Sequence, residues 1–133
     1  MTSDTLLMTV KDAARIKHAL SIHPCDDAEN LELEIERARL IADNEVPADL
    51  VTMNSRLRYQ NVTDNKEAVV TLVFPENANA SEGKISVLAP LGAALIGLSV
   101  GESITWKFPD GRIKELKVLE LEYQPEASGD WHL

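Results

Sequence analysis

The feature that most narrows what this chain can fold into lies between Ser86 and Glu102, where two periodicities meet and proline or glycine punctuates each change. Lys84 to Leu88 reads as a strand. Pro90 suits the first turn of a short helix, where its missing N–H leaves no bond unmade, and Gly97 supplies the left-handed conformation that closes one. Val100-Gly-Glu102 turns the chain back. From Ile104 the period is two, with Ile104, Trp106 and Phe108 on one face and Ser103, Thr105 and Lys107 on the other, until Pro109-Asp-Gly111 supplies turn chemistry. A last strand region runs from Arg112 to Tyr123. Within it Leu116 and Val118 fit one phase while Leu119 and Leu121 fit the other, and a β-bulge would reconcile them.

Upstream of this block, Val51, Met53, Leu57 and Tyr59 alternate with Thr52, Asn54, Arg56 and Arg58, the pattern of a strand buried on one face. Asn61 to Asn65 makes a turn. Ala68 to Phe74 is almost continuously apolar and β-branched, as expected of a strand covered on both faces, and Pro75 stops it. Glu76 to Gly83 is a polar loop. The first third is helical by pattern: Thr9 caps and Asp12 favours the first turn of a helix to about Leu20, with an apolar stripe of Val10, Ala13, Ile16, Ala19 and Leu20. Asp26 or Asp27 then caps a second helix that runs to about Asp43 through Ala28, Leu31, Ile35, Ala38 and Ala42. Two antiparallel helices, paired as a short coiled coil, are the simplest arrangement. Asn44 to Asp49 is the candidate linker.

The chain has 133 residues, enough for one core with a modest appendage. Its net charge of −9 is uneven: residues 1–50 carry five basic and eleven acidic side chains, residues 51–133 eight and eleven. Phosphate-backbone affinity comes largely from Lys and Arg displacing counterions, so this balance points to a protein partner rather than free nucleic acid. No apolar run is long enough to span a bilayer, and Met1 to Asp4 lacks the charged start of a secretory signal. A cytoplasmic monomer is expected, and the single Cys25 agrees with a reducing compartment.

The stretch from Ser86 to Glu102, together with Val118-Leu-Glu-Leu-Glu-Tyr-Gln-Pro-Glu-Ala127, resembles the carboxyl-terminal domain of the bacterial Gre transcript-cleavage factors. Val51-Thr-Met-Asn-Ser-Arg56 and Glu120 to Glu126 are closer still to a family of smaller relatives, the regulators of nucleoside diphosphate kinase. The resemblance implies an α+β protein: a short amino-terminal helical hairpin over residues 1–45, then over residues 46–133 an FKBP-like, mostly antiparallel twisted sheet with one short helix. It also implies a partner, RNA polymerase, approached near its secondary channel in competition with Gre-type factors. The equivalent Gre domain docks there on a coiled-coil rim. By that analogy the contact surface here is Ala89, Pro90, Leu91, Gly92, Ala93, Leu95 and Ile96. Their apolar side chains, with those of Ala94 and Leu98, exceed what one face of so short a helix buries. The plainer alternative places all of them in the core.

Gre factors deliver acidic residues to the polymerase active site at the tip of a long hairpin, where these help hold a metal ion. The corresponding tip here holds Asp26 and Asp27. A second helix to Asp43 would reach only about 25 Å at about 1.5 Å per residue, roughly half of a Gre hairpin. Too short a probe cannot place a carboxylate at the reacting phosphate, so Asp26 and Asp27 are expected to cap and solvate. Neither a resident cofactor nor enzymatic activity is expected. Transcript cleavage by the tip acids and peptidyl-prolyl isomerisation in an aromatic-lined pocket are the catalytic alternatives, although Trp106 and Phe108 are more simply core. His23, Cys25 and Asp26, with His18 a turn away, do not match a known zinc spacing, and nothing orients His23 to activate Cys25. Arg56 and Arg58 are candidates for salt-sensitive contacts, or simply solvated.

Overall fold

The structure is a computed structural model and describes residues 7–22, 28–42, 45–108 and 111–129. It begins with a three-residue strand, β1 (Leu7–Thr9), that runs directly into α1 (Val10–Ile22). The Thr9 hydroxyl accepts the Asp12 N–H at 2.9 Å, the cap expected from sequence. Ala13, Ile16, Ala19 and Leu20 form the buried stripe, whereas Val10, expected among them, is 55% exposed.

The second helix, α2 (Ala28–Arg37), ends six residues short of Asp43. Arg39–Ile41 instead forms β2, which pairs in parallel with β1 from Leu7↔Arg39 to Thr9↔Ile41. These strands tie the start of the first helix to the chain that leaves the second. Two β-branched or γ-branched apolar residues, Leu40 and Ile41, complete the backbone bonds that a frayed helical turn would leave to water. Of the apolar positions assigned to the second helix, Ile35 is buried, Ala38 half-buried beyond the helix and Ala42 exposed. The hairpin tip with Asp26 and Asp27 lies outside the described residues.

The rest is a five-stranded curled sheet, in spatial order β5 (Lys84–Ser86), β4 (Lys66–Val73), β3 (Arg56–Asn61), β7 (Ile113–Tyr123) and β6 (Ser103–Lys107). All neighbours are antiparallel except β4 and β5. Its concave face packs Leu57, Val70, Leu72, Ile104, Trp106, Leu116 and Val118 against α3 (Pro90–Leu95). The phase assigned to Ile104 and Trp106 therefore holds. So does the bulge: register against β3 slips twice, leaving Leu119 and Glu122 without a direct partner, which brings Leu121 onto the core face with Leu116 and Val118. The second strand is covered on both faces only towards its end, where Leu72 and Val73, of opposite phase, are both buried. Val69 is 43% exposed, so the first half of the strand lacks the two-sided cover expected of it.

Alternation also misplaces Val51 to Ser55. The strand starts at Arg56, and Val51, Thr52, Met53 and Ser55 are all buried in a non-repetitive segment. Its amides are satisfied individually: Val51 N–H by the Leu98 carbonyl, Thr52 N–H by the Ser55 hydroxyl, Asn54 N–H by the Leu72 carbonyl. A closing turn, α4 (Pro125–Ser128), ends in left-handed Gly129. The preceding Gln124 amide donates to the carbonyls of Pro47 and Leu50, and Glu126 accepts the Thr52 hydroxyl at 2.8 Å.

Candidate functional site

Pro90 starts α3 as expected, after Ala89 in extended conformation, and Gly97 is left-handed. The helix lies unusually close to the strand before it. A Cβ at Gly92 would sit 2.2 Å from the Ser86 carbonyl oxygen and 2.9 Å from the Val87 Cα, so no side chain fits there. Close approach drives Ala93, Ala94, Leu95 and Ile96 into the core, where Leu95 and Leu98 are fully buried. Gly92, Ala93, Leu95 and Ile96 therefore offer no side-chain surface to a partner, contrary to the surplus suggested by counting apolar residues. Ala89, Pro90 and Leu91 remain half-exposed.

Leu91 forms one wall of a cavity of about 380 Å³ on the concave side of the sheet, opposite Tyr59, Phe108 and Leu116. The Lys114 ammonium lies 5.0 Å from the Phe108 ring centroid, a cation–π contact. Asp64, Lys66 and Glu67 give the rim mixed charge. Burial, and secondarily the Asp64 carboxylate, push the Tyr59 phenol above its ordinary pKa of 10.0, so it stays protonated throughout the neutral range. Sequence reasoning placed Tyr59 and Leu116 on buried faces and missed the cavity. Its walls come from four elements whose register no local pattern encodes.

A second feature joins α1 to this domain. Asp12, 1% exposed, accepts the Met53 N–H through Oδ2 at 3.0 Å and the Arg15 guanidinium through Oδ1 at 2.5 Å. Arg15 in turn lies 4.9 Å over the Phe74 ring. Next to this contact, His18, Ile22 and Glu76 border an open cleft. Of the suggested metal ligands only His18 falls within the described residues, and among these no group of three His, Cys, Asp or Glu side chains is placed to hold a metal ion. Arg56 pairs with Glu122 at 3.2 Å, and Arg58 with Glu120 and, at 3.9 Å, Glu67.

Comparison with known proteins fits this architecture. Residues 46–123 match the family model described as transcription elongation factor, GreA/GreB, C-term. Over its full length the chain is 46% identical to the full-length regulator of nucleoside diphosphate kinase of Escherichia coli K12. It belongs to that family, a branch of the GreA/GreB group. The transcription elongation factor GreA of Syntrophomonas wolfei is 32% identical over 70% of this chain, a match that spans 58% of the longer relative. Among solved structures, a transcription elongation factor GreA/GreB from Nitrosomonas europaea superposes with a TM-score of 0.73 at 34% identity, covering 91% of this chain and all of that one. No helix among the described residues is long and apolar enough to cross a membrane.

Proposed function

We propose that this protein is a non-enzymatic transcription regulator that binds RNA polymerase near its secondary channel and competes there with Gre-type factors. The observation that carries this reading is the size of the arm. Helices of 13 and 10 residues extend about 20 Å and about 15 Å, the second shorter than the sequence alone suggested because the chain leaves it at Arg37 to form β2. Such an arm occupies a channel entrance without carrying carboxylates to the chemistry inside. The carboxyl-terminal domain supplies the docking surface through Pro90 and Leu91, with the cavity beside Leu91 receiving an apolar side chain of the partner. The regulation of nucleoside diphosphate kinase for which the Escherichia coli relative is named would follow here indirectly, through transcription.

Polymerase capture by Leu91→Asp tests the docking surface, since Leu91 is half-exposed and the substitution spares the buried Leu95. Capture falls about tenfold or more if Leu91 is a central contact. A folded variant that captures as well as the wild type rejects the surface. Excess wild-type protein suppresses Gre-stimulated trimming of backtracked transcripts. Trimming by the purified protein alone rejects the non-enzymatic reading.

A further inference from the structure

The convex face of the sheet carries a row of four side chains that no part of the docking surface uses. Tyr123, Arg56, Thr71 and Lys84 are direct neighbours across β7, β3, β4 and β5, by the pairings Arg56↔Tyr123, Arg56↔Thr71 and Thr71↔Lys84. Strands lie about 4.8 Å apart, so the two cations are separated by about two strand spacings, with a hydroxyl between them. Asn54, before β3, and Asn77, after β4, add amide groups, and buried Val73 lines the same hollow of about 350 Å³. In a chain of net charge −9, this recess is lined by two cations and no carboxylate.

The carboxylates that meet these cations lie outside the lining. Glu122, the residue extruded by the second β-bulge, takes the Arg56 Nε at 3.2 Å, and this is the one ion pair of Arg56 among the described residues. The terminal N–H groups of the guanidinium are thereby left for another acceptor, and their fork matches a phosphoryl group. Glu82 meets Lys84 at 3.2 Å from the adjoining loop. Both pairs are exposed, so exchanging one partner for a dianion costs little.

We propose that this recess binds the phosphoryl group of a small free ligand, with Arg56 as the bidentate contact, Lys84 as the second charge and Thr71 and the two amides as neutral donors. Strong overall negative charge disfavours a polynucleotide as the source of the phosphate. The test is an NMR titration of the full chain with inorganic pyrophosphate at low ionic strength, with citrate and a short single-stranded oligonucleotide as parallel arms. Pyrophosphate should give saturable amide shifts confined to residues around Asn54, Arg56, Thr71, Asn77 and Lys84, with a Kd on the order of 1 mM. Arg56→Gln and Lys84→Gln each weaken this about tenfold, while Glu122→Gln, which removes a competing acceptor, tightens it about threefold. Spectra of the free variants verify that each is folded. Absence of saturable shifts, shifts spread equally over Lys107, Lys114 and Lys117, or shifts unchanged in Lys84→Gln overturns the site. Citrate binding as tightly as pyrophosphate overturns the phosphoryl assignment, and tighter oligonucleotide binding at the same residues overturns the small-ligand assignment.

Discussion

The sheet with α3 and the arm formed by residues 7–22 and 28–42 are held by different kinds of force. In the first, five strands share backbone ladders, and Leu57, Leu72, Leu95, Leu98 and Leu116 are almost wholly removed from water. In the second, a two-stranded parallel pair and a narrow apolar stripe leave Val10, Ile22, Leu33 and Leu40 about half exposed. The arm gains its position from directional contacts: Asp12 with Met53 and Arg15, and Arg15 with Phe74. Area-proportional burial tolerates small local changes, whereas a single buried hydrogen-bonded carboxylate does not. The domain should therefore behave as a rigid scaffold and the arm as an element latched to it.

The strongest way to break this contrast is at Gly92. A methyl group there meets the Ser86 carbonyl and the Val87 Cα, both backbone, so either α3 or β5 must move. Gly92→Ala should destabilise the protein by about 3 kcal/mol or more, read as a lowered denaturant midpoint with loss of hydrogen-exchange protection throughout the sheet. A stability within experimental error of wild type would mean that α3 is not seated as closely as its backbone indicates.

Next in size is the latch. Asp12→Ala leaves the Met53 N–H buried without its acceptor and removes the partner of Arg15, a loss of about 2 kcal/mol. The location of the effect sharpens the comparison more than its size. Exchange should accelerate in α1 while β3 and β7 keep their protection, because their ladders do not include Asp12. Equal loss of protection in arm and sheet would show one cooperative unit and end the distinction.

The same division explains what was legible in the residues beforehand. Pro90 and Gly97, the alternation from Ile104 to Phe108 and the double phase of Leu116, Val118, Leu119 and Leu121 are local patterns, and each corresponds to a feature of the fold: a helix start, a left-handed glycine two residues beyond the helix end, a one-sided strand and two bulges. Thr9 as a cap was equally local. The pairing of Leu7–Thr9 with Arg39–Ile41 was not, because three-residue strands carry no period and the apolar spacing continued past the true end of α2. Nor was the burial of Thr52, whose hydroxyl is satisfied by Ser55 and by Glu126, 74 residues away. At the candidate site Leu91 was named and its cavity was not. Burial of Leu95 and Ile96 depends on how near α3 comes to Ser86, a distance set by the missing side chain of Gly92 and invisible to a count of apolar residues.

The smallest effect probes the scaffold at the cavity beside Leu91. Tyr59 is an acid whose folded pKa is raised above its unfolded value, first by burial and then by Asp64. The folded state therefore holds the phenolic proton more tightly, and the resulting stability is fully present below about pH 10 and is lost as pH climbs through the raised value. At neutral pH Tyr59→Phe should leave the denaturant midpoint nearly unchanged, since the ring that lines the cavity remains. Above pH 10 the wild type should lose stability more steeply than Tyr59→Phe, and Asp64→Asn should reduce the wild-type slope only partly, because desolvation is the larger cause. Identical pH profiles for wild type and Tyr59→Phe would mean that the phenol is as well solvated as in an unfolded chain, and the concave pocket would then be an open surface rather than a site poised to receive an apolar group.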